Sequence, residues 1–381
     1  MTVNPFKPTA GKMPPVLIGR QPVIDDFVEG LENGAGAPGR LMLVSGQRGY
    51  GKTVVLAELR REAMARGWTV LSETATRGMV ERLTEAIAPG GMKLANLTIS
   101  PSVNVAGIAS ASVGGATFAS SEIAALTLRK AINARLKKEK PGRGIVITID
   151  EAQAASTEDI IALATTFQHA LADQDMEDVP DSEKRGLVLV FAVLPSLMDD
   201  LLDNRVLTFL RRAQKQVLAQ VRLPDVRDAY VETVERSGKT IAEGVALQAA
   251  KAAGGHPYLV QLVGYYMWRA ADRRQSHDIG AQDVEAGRSD AMIAFHEAVS
   301  APLYYGLRSP QRFFIEAMAV DESGVSKMSD IAERARRTAS WASKYRATLI
   351  REHVIESAGF GLVRFVPPHL GEYIREYVFE E

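Results

Sequence analysis

The chain has 381 residues, 46% hydrophobic and 24% charged, a globular composition that excludes wholesale disorder and, at this length, points to two or three domains. Its 45 basic and 46 acidic residues nearly balance, so contact with a polyanion has to come from a local patch. With no cysteine, a disulfide framework and any Cys-ligated metal site are excluded, and six scattered histidines without an HExxH pattern offer little to a metal.

The first twenty residues carry Pro5, Pro8, Pro14 and Pro15 and read as an extended lead-in without the apolar core of a secretory signal. No run of about 18 apolar residues follows anywhere, so the expectation is a soluble, cytoplasmic protein with no membrane contact. A helix is expected from Gln21 to Leu31 (Val23, Ile24, Phe27, Val28, Leu31), then a strand over Leu41–Ser45, a glycine loop and a helix carrying Val55, Leu56 and Leu59. Trp68 to Thr74 reads as a second strand, and Leu128, Ile132 and Leu136 mark a helix. Ile145 to Ile149 is an apolar run ending in Asp150-Glu151. Ser156 and Asp159 form a capping-box pattern ahead of Ile160, Leu163, Phe167 and Leu171. Leu187–Val193 and Gln216–Leu223 complete the strands, and helices dominate from about Pro224 to Val354. Strands alternating with helices predict a parallel α/β sheet buried on both faces. The small, weakly charged stretch of about 95–120 reads as an inserted hairpin, either a plain insertion or a contact element.

Gly46-Gln47-Arg48-Gly49-Tyr50-Gly51-Lys52-Thr53 has the G-x4-G-K-T pattern of a Walker A loop, between a strand and a helix as that motif requires. Its backbone N–H groups and the helix N-terminus suit phosphates. Lys52 would reach the β and γ phosphates, and Thr53 would ligate Mg²⁺. The strand ending in Asp150 and Glu151 has the Walker B pattern, Asp150 for the Mg²⁺ shell and Glu151 to polarise an attacking water. Both motifs are expected to end neighbouring parallel strands at a phosphate crevice, and the adjacent Glu favours hydrolysis over transfer.

With these motifs in place the chain resembles the AAA+ superfamily, and within it the origin-recognition initiator ATPases and STAND-like ATPases, over nearly its whole length. The resemblance implies an α/β P-loop domain over 1–223, a helical lid over 224–305 and a winged-helix domain over 306–381, with ATP or ADP and Mg²⁺ as ligands. Ile18, Gly19 and Arg20 resemble the box that packs on adenine in that family. Arg211 and Arg212 occupy the region of an arginine finger, which stabilises transition-state charge in a neighbour; the plain alternative is a solvated helix end. Ser196 is the nearest polar residue to the sensor-1 position, and where initiators carry a sensor-2 arginine this chain has Gly255-His256-Pro257-Tyr258. That start resembles a STAND-type lid, His256 and Pro257 either contacting nucleotide or capping and packing the helix.

Helices over Ser309–Val320, Met328–Arg336 and Ala339–Arg351 followed by strands at Val354–Glu356 and Leu362–Val366 are the pattern of a winged helix. Between Lys327 and Arg351 seven basic residues stand against two acidic ones, and Lys344, Arg346, Arg351 and Arg364 are the candidate DNA contacts. The expected function is slow Mg-ATP hydrolysis driving a switch or assembly factor on double-stranded DNA, with self-assembly or a protein partner. The rival is a STAND-like signalling ATPase that acts on a protein without binding DNA.

Overall fold

The computed structural model describes residues 3–9, 12–34, 36–88, 126–176, 178–181, 183–203 and 208–380; the expected hairpin at about 95–120 lies outside them. By contacts the chain forms two compact units. One comprises Arg20–Gly46 and Lys52–Leu218, the other Met1–Gly19, Gln47–Gly51 and Ala219–Glu381.

The first unit is built on five parallel strands, β1 (Leu41–Ser45), β2 (Thr69–Thr74), β3 (Gly144–Asp150), β4 (Gly186–Val193) and β5 (Gln214–Val217), in the order β2-β3-β4-β1-β5. β4 is buried throughout and β3 up to Asp150, which is why both read as continuous apolar runs rather than alternating ones. Helices α1 (Gln21–Glu32), α2 (Lys52–Ala65), α3 (Met79–Ile87), α4 (described over 126–136), α5 (Thr157–Asp175) and α6 (Pro195–Asp203) accompany the sheet. The core gathers Leu83, Leu128, Ile132, Leu163 and Phe167 with Ile147, Leu189 and Phe191 of the strands. α5 is capped as its sequence predicts, Ser156 Oγ accepting from Asp159 N at 3.0 Å.

Two expectations are corrected here. The fifth strand runs from Gln214 to Val217, not from Gln216 to Leu223: after Leu218 N donates to Ser45 O (2.7 Å) the chain leaves the sheet, and Leu223-Pro224 opens the next helix, where proline fits the first turn. The strands that carry the two phosphate motifs are not neighbours either, because β4 lies between β1 and β3.

In the second unit, α7 (Leu223–Arg236), α8 (Glu243–Ala253), α9 (Pro257–Arg273) and α10 (Ala281–Phe295) surround a core of Tyr230, Leu259, Val263, Met267, Trp268 and Phe295, with a short parallel pair of β6 (Thr240–Ile241) and β7 (Asp278–Ile279) and, further along the chain, α11 (Ala301–Gly306). Phe6 from the proline-rich lead-in joins that core. It sits edge-on to Tyr230 and over Gly264, where a Cβ would come within 2.3 Å of its ring. The C-terminal part has α12 (Ser309–Ala319), α13 (Met328–Arg334) and α14 (Ala339–Arg351), with a three-stranded antiparallel sheet, β8 (Val325–Lys327), β9 (Ile355–Gly359) and β10 (Leu362–Phe365), in the order β8-β10-β9. β8 is too short to show a period, which is why the sequence reading contains only two strands there.

Gly144 opens β3 opposite Gly186, and a Cβ on it would stand 1.8 Å from the Gly186 carbonyl oxygen. A backbone atom in a sheet cannot step aside, so Gly144→Ala is expected to destabilise this unit by about 1–3 kcal/mol, measured as a thermal midpoint several degrees lower.

Candidate nucleotide site

The phosphate loop leaves β1 at Ser45 and turns into α2 at Lys52. Gly49 and Gly51 hold φ of 80° and 84°, a region open to glycine without cost, so their places in the motif are set by the turn itself. Gly46 N donates to Val193 O at 3.3 Å, tying the loop's start to the end of β4. Lys52 is only 6% exposed, with Nζ donating to Gly46 O at 2.8 Å, so the ammonium is folded back under the loop. On the next residue, Thr53 Oγ1 donates to Asp150 Oδ2 at 2.7 Å. The first turn of α2 therefore meets the end of β3 even though β4 separates their strands. A hydroxyl and a carboxylate side by side are the hard oxygen donors that Mg²⁺ takes from a protein when phosphates and water complete its shell. No cluster of three acidic, His or Cys side chains among the described residues offers another metal site.

Glu151 follows Asp150 with its N–H on Asp150 Oδ1 (2.9 Å), and Gln153 Nε2 donates to Glu151 Oε2. Gln153 was not foreseen from the sequence; a lone Gln two residues past a carboxylate carries no periodic signal. Arg211 and Arg212 end a short 3-10 turn, Thr208–Arg212, with exposed side chains, and Arg211 Nε donates to Leu202 O at 2.9 Å.

The loop residues Gln47–Gly51 make their own contacts within the second unit. Tyr258 N donates to Gly49 O at 3.2 Å, and Gln47 Nε2 donates to the His353 carbonyl at 3.1 Å. Arg48 is exposed, Tyr50 is buried, and the Tyr50 ring stands edge-on to His256 at 4.8 Å. His256 is 1% exposed, and its Nδ1 accepts from Leu259 N at 3.4 Å as the N-cap of α9, with Pro257 at the first turn. The ring also bonds the Arg48 backbone, and a Cβ on Gly49 would come within 2.6 Å of its Cε1. His256 thus caps α9 and props the loop at once. Ile18 packs against the core of α7–α10, Gly19 adopts φ 65° with Val221 3.5 Å from its Cβ position, and buried Arg20 caps α1 through its carbonyl.

Of the candidate DNA residues, Lys344 and Arg351 are exposed on α14, Arg346 Nη2 donates to Ser357 Oγ at 3.2 Å, and Arg364 pairs with Glu356 at 2.5 Å. Arg334 is taken up by Asp321 at 2.7 Å, which holds that carboxyl below its usual range and removes one charge from the basic stretch.

Burial pushes His256 down to about 3 from an ordinary 6.5. The unfolded chain therefore binds this proton more readily, so the contribution is fully present above about pH 6.5 and is lost as pH falls towards 3. Between pH 6.5 and 5 this unit is expected to lose about 2 kcal/mol from His256 alone. Denaturation midpoints at the two pH values check this, and His256→Gln should shrink the difference.

Residues 16–190 match the family model described as AAA ATPase domain, and residues 299–374 match a domain of unknown function, DUF8462. Curated proteins give no significant match. Among solved structures, the Aeropyrum pernix ORC2 protein in its ADPNP–ADP complexes aligns with a TM-score of 0.61 at 13% identity, covering 98% of this chain and 97% of that one. The Walker-type ATPase paby2304 of Pyrococcus abyssi aligns at 0.60 and 16% identity over 94% of this chain and 96% of the other. Cdc6p from Pyrobaculum aerophilum aligns at 0.50 and 13% identity over 98% and 97%. Residues 16–190 thus match the AAA ATPase domain model, and the chain has the AAA+ fold seen in the ORC2 and Cdc6p structures.

Proposed function

We propose that this chain is a slow Mg-ATP hydrolase whose nucleotide state sets the conformation of its lid and C-terminal domain, and that the output is a switch or assembly step on double-stranded DNA. The observation that carries the ATPase reading is the pairing of Thr53 with Asp150 beside the buried Lys52. The ORC2 likeness to a protein in ADPNP–ADP complexes supports an adenine nucleotide. In this reading Ile18, Gly19 and Arg20 flank the base, the Gly46–Thr53 loop wraps the phosphates, and Lys52 meets their charge. Bound Mg²⁺, held by Thr53 and Asp150, would neutralise charge on the terminal phosphates. Glu151 accepts a proton from water as the water oxygen bonds the γ-phosphorus, and the bond to the ADP oxygen breaks with its electron pair on ADP. The reading divides the chain into 1–223, 224–305 and 306–381, the last a winged helix.

Three contacts give nucleotide state a route outward: Tyr258 N and the His256 ring hold the loop to the start of α9, and Gln47 holds it to the turn after α14. His256 and Pro257 act on nucleotide through that loop. The Gln47–His353 bond also favours the signalling alternative, in which the C-terminal domain answers to the loop and to a protein partner without DNA.

Lys52→Ala is expected to abolish tight nucleotide binding, whereas Glu151→Gln keeps binding and blocks turnover; equilibrium binding and steady-state ATPase assays check both. If Arg211 or Arg212 acts in trans, specific activity rises with protein concentration and collapses in the corresponding Arg→Ala variant. A concentration-independent rate that is unchanged in both variants returns them to a solvated helix end. For DNA, Lys344→Ala with Arg346→Ala should weaken duplex binding by about 1–3 kcal/mol if one reads a base, or flatten the salt dependence if both touch phosphate. Absence of duplex affinity at low salt, with nucleotide-driven binding to a protein partner, would replace the DNA reading by the signalling one.

A further inference from the structure

Two local costs converge on one point of the first unit. Glu151 holds φ of 51°, a left-handed conformation that a non-glycine residue normally avoids. One turn further on, the side-chain oxygen of Gln153 is buried with no hydrogen-bond partner, which is costly for a polar atom. Backbone strain and orphaned polar atoms that persist together mark a place held for chemistry.

The geometry explains what they achieve. The left-handed turn at Glu151 ends β3 and starts the short 3-10 turn Ala152–Ala154, closed by Ala154 N to Glu151 O at 2.8 Å. Ala152 is fully buried in the α/β core, which anchors that turn. Gln153 is thereby carried back over the carboxylate, where its Nε2 donates to Glu151 Oε2. Only the NH₂ side of an amide can face a carboxylate, so chemistry fixes its orientation. The shut-in oxygen keeps the amide from swinging out to solvent, and the Glu151 N–H on Asp150 Oδ1 fixes the other end of the same residue.

We propose that Gln153 is a positioning residue for hydrolysis, its Nε2 holding the Glu151 carboxylate in the one orientation from which it accepts the proton of the attacking water. This rests on the reading of Glu151 as the base. Its described hydrogen bond goes to Glu151, so it is expected to act on turnover and not on nucleotide affinity. Misplacing a reacting group by about 1 Å costs on the order of 100-fold in rate, which sets the scale of the effect.

The experiment compares wild type, Gln153→Leu, Gln153→Asn and Glu151→Gln in the full chain, measuring ADP affinity and kcat. Gln153→Leu is expected to keep ADP affinity within about twofold while kcat falls about 10- to 100-fold. Gln153→Asn keeps the amide but shortens its reach by one methylene, so it should lose kcat in the same way with ADP affinity kept. A purely structural role would lower ADP affinity and the thermal midpoint along with kcat. An unchanged or raised kcat in Gln153→Leu, with Glu151→Gln inactive, overturns this inference alone. Full turnover in Glu151→Gln overturns the base assignment and this inference with it. Should Gln153→Leu fail to fold, Gln153→Asn decides: a reduced kcat with ADP affinity kept supports the clamp, and a wild-type kcat overturns it.

Discussion

The hydrogen bond from Thr53 to Asp150 is the constraint on which the rest of the site depends. Its two partners come from elements whose strands are separated by β4, so it exists only if three strands hold their register together. The continuous apolar character of β3 and β4 follows from that demand: a central strand covered on both faces has no solvent side on which to place a polar residue. Asp150 and Glu151 stand where the burial of β3 ends.

The loop between β1 and α2 has two sets of commitments. Gly46, Lys52 and Thr53 answer to the sheet, while Gln47, Arg48, Gly49 and Tyr50 are bonded or packed to His256, Tyr258 and His353. Residues 47–50 thus have partners within their own unit, at the start of α9 and in the turn after α14. The buried, neutral His256 suits this task, since a ring that caps a helix and bonds a carbonyl at once is sensitive to shifts of a few tenths of an ångström.

Charge in the C-terminal part is concentrated but partly spent. Arg334 and Arg364 have acidic partners, whereas Lys344 and Arg351 stand exposed on α14. The Arg364–Glu356 pair is solvent-exposed and contributes little to stability. Trp341 packs on Phe314 and Tyr345, so the apolar face of α14 is turned inward and the basic residues are left on the other.

The sequence by itself determined whatever depends on neighbours along the chain. The G-x4-G-K-T spacing, the apolar run ending in Asp150-Glu151, the Ser156 cap and the helical period of Leu128, Ile132 and Leu136 each rest on local geometry, and each is legible in a few residues. The tertiary structure alone decided what depends on partners far apart. The sheet order puts β4 between the two motifs, because crossover connections leave strand order free of chain order. Phe6, set among prolines, is a core residue only because Gly264 leaves room for its ring, and no period announces a single inserted side chain. β5 ends where Pro224 is about to open a helix, a competition that strand propensity does not see. Gln153 gained its place over Glu151 from a left-handed turn at a residue that normally avoids one, and such a conformation is imposed by the surrounding core rather than by the residue itself.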